Sequence, residues 1–145
     1  MRRDDRLRLQ HMLDAGREAV RFARGKTRDA LDRDRVPALA LVKLLEIVGE
    51  AASRVTAEGQ RTSPDIPWRD IVAMRNRLIH GYFDVDLDRV WDTVTDDLPP
   101  LLAQLEAALA RPDSPASRGA TRPPGSGRAP DPAPPGATLR CPHQN

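Results

Sequence analysis

The sequence predicts an all-α fold, a four-helix up-and-down bundle, and three observations support this. Apolar residues recur at spacings of three and four along four long segments, which is the period of an amphipathic helix. Only 3% of the 145 residues are aromatic, so a core has to be built from Leu, Val, Ile and Ala. Charged residues make up 30%, and an aliphatic, charge-rich mixture suits packed helices better than β-sheets.

The first two long helices have recognisable ends. Apolar residues at helical spacing predict the first helix over residues 5–24, and Gly25 is a suitable stop. A short turn or one-turn helix around residues 27–31 connects it to the second. Asp34 is a good N-cap for that second helix, and Gly59 is expected to end it.

The third and fourth helices follow a loop at residues 63–67, which holds two prolines. The third helix is predicted from about Pro67 to His80, with a stop at Gly81. The fourth begins near Asp86. The pair Pro99-Pro100 must kink or interrupt it, because two prolines remove two backbone hydrogen-bond donors.

The composition changes sharply after the fourth helix. Nine of the 14 prolines and four of the nine glycines fall within residues 112–145. We therefore expect a helical domain at residues 1–110 and a disordered tail at 111–145. The tail carries a net charge of +3 and the whole chain only +2. The basic pI is thus poor evidence for an RNA-binding body, and binding to RNA would need a local basic patch.

The chain has the composition of a soluble cytoplasmic protein. It contains one cysteine, Cys141, and neither a signal peptide nor an apolar run of the ~20 residues that a membrane span requires is evident. Cys141 and His143 offer two metal ligands, fewer than the four of a structural zinc site. We expect no metal and no cofactor.

The third helix carries an unusual arginine. On an ideal helix Arg75 lies within the apolar arc, while Asn76 and His80 lie together on the opposite side. Because a guanidinium cannot lose its proton, its burial requires a partner. Either Arg75 pairs with Glu46 or Glu50 of the second helix, or the apolar stripe is a contact surface and Arg75 lines a shared cleft.

From the residues alone, the other polar groups have ordinary explanations too. His80 in the last turn of a helix is typical of a C-terminal cap or a partner of the helix dipole. Tyr82, the only tyrosine, would by default be a core or interface ring with a hydrogen-bonded hydroxyl.

The spacing Arg75-x4-His80-x-Tyr82 resembles the Arg-x4-His-x-Tyr motif of HepT-like proteins, a branch of the HEPN superfamily. The resemblance covers about residues 5–110, in order. Further segments that look like this group are Gly49–Ala52, Pro64–Trp68, Met74–Asn76, His80–Phe83, Val90-Trp91 and Asp97–Leu101.

The resemblance implies a homodimeric, metal-independent endoribonuclease that acts as the toxin of a toxin–antitoxin system. Arg75 would bind phosphate, His80 would act as base or acid, and Asn76 would orient the substrate or His80. Arg75 and His80 point about 140° apart on a straight helix. One chain therefore cannot easily direct both side chains at one phosphate. Either the helix loosens at His80-Gly81, or a second subunit completes the RNA-binding cleft.

The resemblance also implies regulation at Tyr82. In such systems an MntA-like nucleotidyltransferase, the antitoxin, transfers AMP to the motif tyrosine. The added negative charge and bulk would exclude an RNA phosphate from the cleft. Two alternatives stay open: a non-catalytic binding partner or inhibitor of a nucleotidyltransferase, and a structural helical dimer in which Arg75 is paired to Glu46 or Glu50.

Overall fold

The computed structural model describes residues 1–80, His80 by its backbone only, and residues 85–112. Every regular element in these residues is helical, which confirms the all-α prediction for them. The predicted stop at Gly81, the candidate Tyr82 and the predicted tail beyond Pro112 lie outside the described residues. The helices are α1 (Arg3–Ala23), α2 (Ala30–Arg33), α3 (Arg35–Ser53), α4 (Ala57–Thr62), α5 (Trp68–His80), α6 (Leu87–Asp92) and α7 (Leu98–Ala110).

Three predicted helix ends are confirmed by their local geometry. Gly25 follows the end of α1 with a φ of +77°, a conformation that favours glycine. At the start of α3, Asp34 Oδ1 accepts a hydrogen bond from the Val36 amide at 3.0 Å. Before α6, Asp86 Oδ1 accepts from the backbone N–H groups of the second and third helical residues. These ends follow from residue types within a few positions of each cap.

The prediction that Gly59 ends the second long helix was wrong. Helix α3 ends at Ser53, and Gly59 lies inside the separate helix α4. The buried carboxylate of Asp5 accepts hydrogen bonds from the Thr56 amide at 2.9 Å and from the Thr56 hydroxyl at 2.7 Å. The same hydroxyl accepts from the Gly59 amide at 3.1 Å. Thr56 therefore caps a new helix and cannot continue the old one.

The interruption predicted near Pro99-Pro100 is confirmed just before the prolines. Residues Thr93–Asp97 form a π-helical stretch between α6 and α7, and the Leu98 amide bonds to the Thr93 carbonyl five residues back. The prolines occupy the start of α7, where a missing N–H is tolerated. A π-helical turn contains one residue more than an α-helical turn, and this keeps the apolar side of α6 and α7 on the core.

The core is aliphatic, as the composition predicts. Helix α1 packs against α3 and α7, and α3 also packs against α5. The most deeply buried apolar residues come from α1, α3, the π-helical stretch and α7: Leu9, Met12, Leu41, Leu45, Val48, Val94, Leu98 and Leu105. None of the described helices is long and apolar enough to cross a membrane.

Helices α3 and α5 approach closely at Gly49. This glycine is buried, and a Cβ placed there would overlap the Cβ of Arg75. It would also lie 2.8 Å from Arg75 Cγ and 3.3 Å from Arg75 Cα, where the obstacle is backbone. A glycine at this point therefore lets the Arg75 segment of α5 lie directly against α3.

We expect Gly49→Ala to destabilise the fold. Overpacking of a tight contact typically costs about 1–3 kcal/mol, whereas Gly→Ala within a helix gains about 1 kcal/mol. Since the contact involves the Arg75 backbone, the strain should outweigh the gain, and urea denaturation should show a lower free energy of unfolding.

Gly16→Ala in α1 is the matched control. Its added Cβ would lie 2.7 Å from Leu102 Cδ2, the far end of a flexible side chain that can turn aside. The control should unfold at nearly the wild-type urea concentration. If both alanine variants lose the same stability, the α3–α5 approach has no special role.

Candidate active site

The candidate site lies along α5, which is anchored at its start. Trp68 is buried, and its indole N–H donates to the Ser63 carbonyl at 3.0 Å. Ile71, one turn later, belongs to the core. From this anchor α5 runs without a break to His80, so that Arg75 and His80 are placed five residues apart on one continuous helix. The loosening considered at His80-Gly81 falls at the edge of the described residues, because Gly81 lies outside them.

Arg75 forms an ion pair with Glu50 of α3. Arg75 Nη2 lies 2.5 Å from Glu50 Oε2, and the two side chains are 28% and 38% exposed. Glu46, the other predicted partner, instead faces Lys43 at 3.5 Å. Of the two carboxylates that the helical spacing offered, Glu50 is therefore the partner of Arg75. The pair is accessible from the surface.

Glu50 also binds a second arginine, which the sequence analysis missed. The other carboxylate oxygen, Oε1, lies 2.7 Å from Nε and from Nη2 of Arg54. The hydrogen bond from Arg54 is the main cause of a pKa of Glu50 below its ordinary value; partial burial opposes it and the charge of Arg75 adds to it. Glu50 is thus an anion held between two cations. The spacing Glu50-x3-Arg54 was the available signal.

The other donors of Arg75 are only partly used. Nη1 donates to the Asn76 side-chain oxygen at 3.1 Å. Nε is buried and has no hydrogen-bond partner within residues 1–80 and 85–112. Asn76, expected to orient the substrate or His80, thus contacts Arg75 here. Each of the two Nη atoms carries a second N–H, and these donors are left for a phosphate.

Exposed apolar residues lie on the two helices that carry the Glu50–Arg75 pair. Val36, Leu39 and Ile47 lie on the same side of α3 as Glu50 and are 67%, 53% and 39% exposed. Ile79, one turn after Arg75 on α5, is 42% exposed. The sequence analysis did not identify this exposed apolar side of α3. Contiguous exposed apolar residues are typical of a contact surface.

Two of the four candidate site residues cannot be placed further. The side chain of His80 and the whole of Tyr82 lie outside what the structure describes. Their roles therefore stay predictions. For the other two, the structure brings Arg75 and Asn76 into contact and adds Glu50, Arg54 and Gly49.

The chain is similar to a set of curated proteins with related names. It is 41% identical over 73 residues to the "Probable ribonuclease HepT" of Thermococcus cleftensis, a match that covers 50% of this chain and 66% of that protein. A "Putative RNase" of Caldanaerobacter subterraneus subsp. tengcongensis is 31% identical, with 71% of this chain and 92% of the relative covered. Another of Methanocaldococcus jannaschii is 28% identical, with 72% and 96% covered. No solved structure gives a significant match.

A family model described as ribonuclease HepT-like matches residues 12–108, which include the helices α3 and α5 that carry the candidate site. The match extends over about two thirds of the chain, and the relatives align over nearly their whole length in two of the three cases. The chain belongs to the HepT-like family.

Proposed function

We propose that this chain is an endoribonuclease that cleaves RNA without a metal ion and acts as the toxin of a toxin–antitoxin system. The observation that carries the proposal is the arginine at the α3–α5 contact. Arg75 is held at the surface by Glu50 and Asn76, on the same continuous helix as His80. Family membership and the names of the relatives support the same activity.

The chemistry needs two proton transfers and one charge-stabilising group. The ribose 2′-oxygen loses its proton and attacks phosphorus, the bond from phosphorus to the 5′-oxygen breaks, and that 5′-oxygen gains a proton. His80 would supply or remove a proton, because imidazole titrates near neutral pH. Arg75 would bind the phosphate oxygens, on which negative charge grows.

The proposal includes a two-fold dimer of a four-helix up-and-down bundle spanning residues 1–110, with residues 111–145 as its tail. The side chains at positions 75 and 80 point about 140° apart on a straight helix, so those of one chain face different directions. A second copy of the chain would supply its own Arg75 and His80 to the same cleft. The exposed apolar residues Ile47 of α3 and Ile79 of α5, on the two helices that carry the Glu50–Arg75 pair, support pairing at this face, because covering them removes apolar surface from water.

We expect the purified protein to cleave single-stranded RNA in the presence of a chelator. Replacement of His80 by alanine should lower the cleavage rate on the order of 10²-fold or more, because a positioned acid or base contributes about that much. Cleavage is measured on a panel of RNAs by denaturing gel electrophoresis.

Two outcomes of this assay decide the proposal. Equal inactivity of wild type and His80→Ala on every RNA would contradict the nuclease function. The wild-type rate per chain is also measured over a dilution series, in parallel with sedimentation velocity. A monomer that cleaves at the full rate would contradict the dimeric site.

A second pair of variants separates a catalytic Arg75 from a merely structural one. Arg75→Ala and Glu50→Gln each break the ion pair. Loss of a charge-stabilising donor should lower the cleavage rate on the order of 10²-fold in Arg75→Ala. Glu50→Gln leaves the guanidinium free for phosphate, so this variant should keep most of the activity. Thermal unfolding of both variants is measured alongside cleavage.

A purely structural role of Arg75 predicts a different result for Arg75→Ala and Glu50→Gln. If Arg75 only supports the fold, the two variants should lose stability alike, and activity should follow the folded fraction in both. Because the side chains are 28% and 38% exposed, the loss should be a fraction of what a fully buried pair would show.

We propose that Tyr82 is the control point of the toxin. An MntA-like nucleotidyltransferase would act as antitoxin by transferring AMP to the Tyr82 hydroxyl. The modification adds a phosphate two residues after His80, so that its charge and volume compete with the RNA phosphate. Since Tyr82 is the only tyrosine of the chain, the modified side chain can be assigned without ambiguity.

Co-expression with such a nucleotidyltransferase should add the mass of one AMP to the intact chain and abolish cleavage. Intact-protein mass spectrometry measures the modification, and the RNA assay measures its effect. Tyr82→Phe should remain unmodified and active under the same conditions. An AMP adduct that persists in Tyr82→Phe would place the modification elsewhere.

A further inference from the structure

A groove lies beside α5, and neither Glu50 nor Arg75 lines it. It separates α5 from α6 and α7 and has a volume of about 820 Å³. Its floor is apolar and includes Leu45, Val48 and Leu101. Pockets of this size and lining typically accept small organic ligands or single units of a polymer. The groove is thus large enough for a nucleotide.

Two arginines line the groove from opposite walls. Arg77 belongs to α5 and Arg89 to α6. Both residues are exposed, and neither guanidinium has an ion pair or hydrogen bond within the described parts of the chain. Arg28 and Arg54, by comparison, are engaged by carboxylates. Arg77 and Arg89 are therefore available to an anion that enters the groove.

The acidic residues of the groove fit the remainder of a nucleotide. Asp86 is occupied as the cap of α6. Asp70 and Asp97 also line the groove, and both are exposed. Carboxylates accept hydrogen bonds from the amino groups of bases, and an apolar floor covers a base face. A groove with both arginines and aspartates suits a ligand that has anionic phosphates and N–H donors, as a nucleotide does.

The position of Arg77 relates the groove to the proposed site. Arg77 and the helical position of His80 are three residues apart, which makes them neighbours on one side of α5. Arg75 and His80 diverge by about 140°, but positions 77 and 80 differ by only about 60°. An RNA strand that places its reacting phosphate at His80 can therefore extend over Arg77.

We infer that the α5–α6 groove binds a nucleotide of single-stranded RNA next to the cleaved bond, with Arg77 and Arg89 on its phosphates. This inference rests on the proposed ribonuclease function, because it names the path of that substrate. Arg77 and Arg89 are then two phosphate-binding residues outside the Arg-x4-His motif. The apolar floor of the groove would contact the base of the nucleotide.

The test is the salt dependence of RNA binding by the full chain. The His80→Ala background prevents cleavage during the measurement. The probe is a fluorescein-labelled single-stranded RNA of about 12 nucleotides, and binding is followed by fluorescence anisotropy. The plot of log K against log salt has a negative slope, and each lost phosphate contact to a single strand makes this slope shallower by about 0.7. Arg77→Ala and Arg89→Ala should each show this shallower slope and bind roughly fourfold more weakly at about 0.15 M salt.

Arg21→Ala is the matched control, because Arg21 is an exposed arginine on α1 that does not line the groove. Its slope should equal that of the background. The inference is overturned if Arg77→Ala and Arg89→Ala keep the background slope, or if Arg21→Ala makes it as shallow as they do.

The outcome is distinguishable from failure of the proposed function. Cleavage by the wild-type chain is scored independently in the chelator assay. Active wild type with unchanged slopes would overturn the groove inference alone. Shallower slopes with an inactive wild type would support the groove as an RNA site and overturn the nuclease.

Discussion

The candidate site depends on one contact, the approach of α3 and α5 at Gly49. Without a Cβ at position 49, the backbone of α5 lies against α3 at Arg75, and the Arg75 guanidinium reaches the carboxylate of the next residue, Glu50. A larger residue would move α5 outward. The ion pair would lengthen, and the groove beside α5 would change its width. The position of Arg75 relative to Glu50 therefore depends on one glycine.

Local signals explain what the sequence predicted well. The helical period of aliphatic residues and the caps Asp34 and Asp86 depend on neighbours a few positions away, and the structure confirms them. The double proline predicted an interruption of the fourth helix for the same reason, because the missing hydrogen-bond donors are a property of residues 99 and 100 themselves. Arg75 within an apolar arc was also visible, because the arc is a property of one helix.

Contacts between distant residues explain what the sequence could not predict. The end of α3 depends on Asp5, which binds Thr56 across 51 residues of chain. The choice between Glu46 and Glu50 depends on how far α5 is displaced along α3, and two carboxylates at i and i+4 are equivalent to any periodicity argument. The groove is lined by residues of α3, α5, α6 and α7, which lie far apart in the sequence. No single segment contains this information.

The structural and catalytic interpretations of Arg75 are compatible. In the free protein Glu50 neutralises a guanidinium that is partly removed from water, which stabilises the fold. If an RNA phosphate takes the place of that carboxylate, Glu50 keeps Arg54 on its other oxygen and is not left as an unpaired charge. The exchange therefore replaces one anion by another at Arg75, at a smaller cost than the rupture of an isolated pair. A carboxylate shared by two arginines thus suits an arginine that must be held firmly and yet be released to substrate.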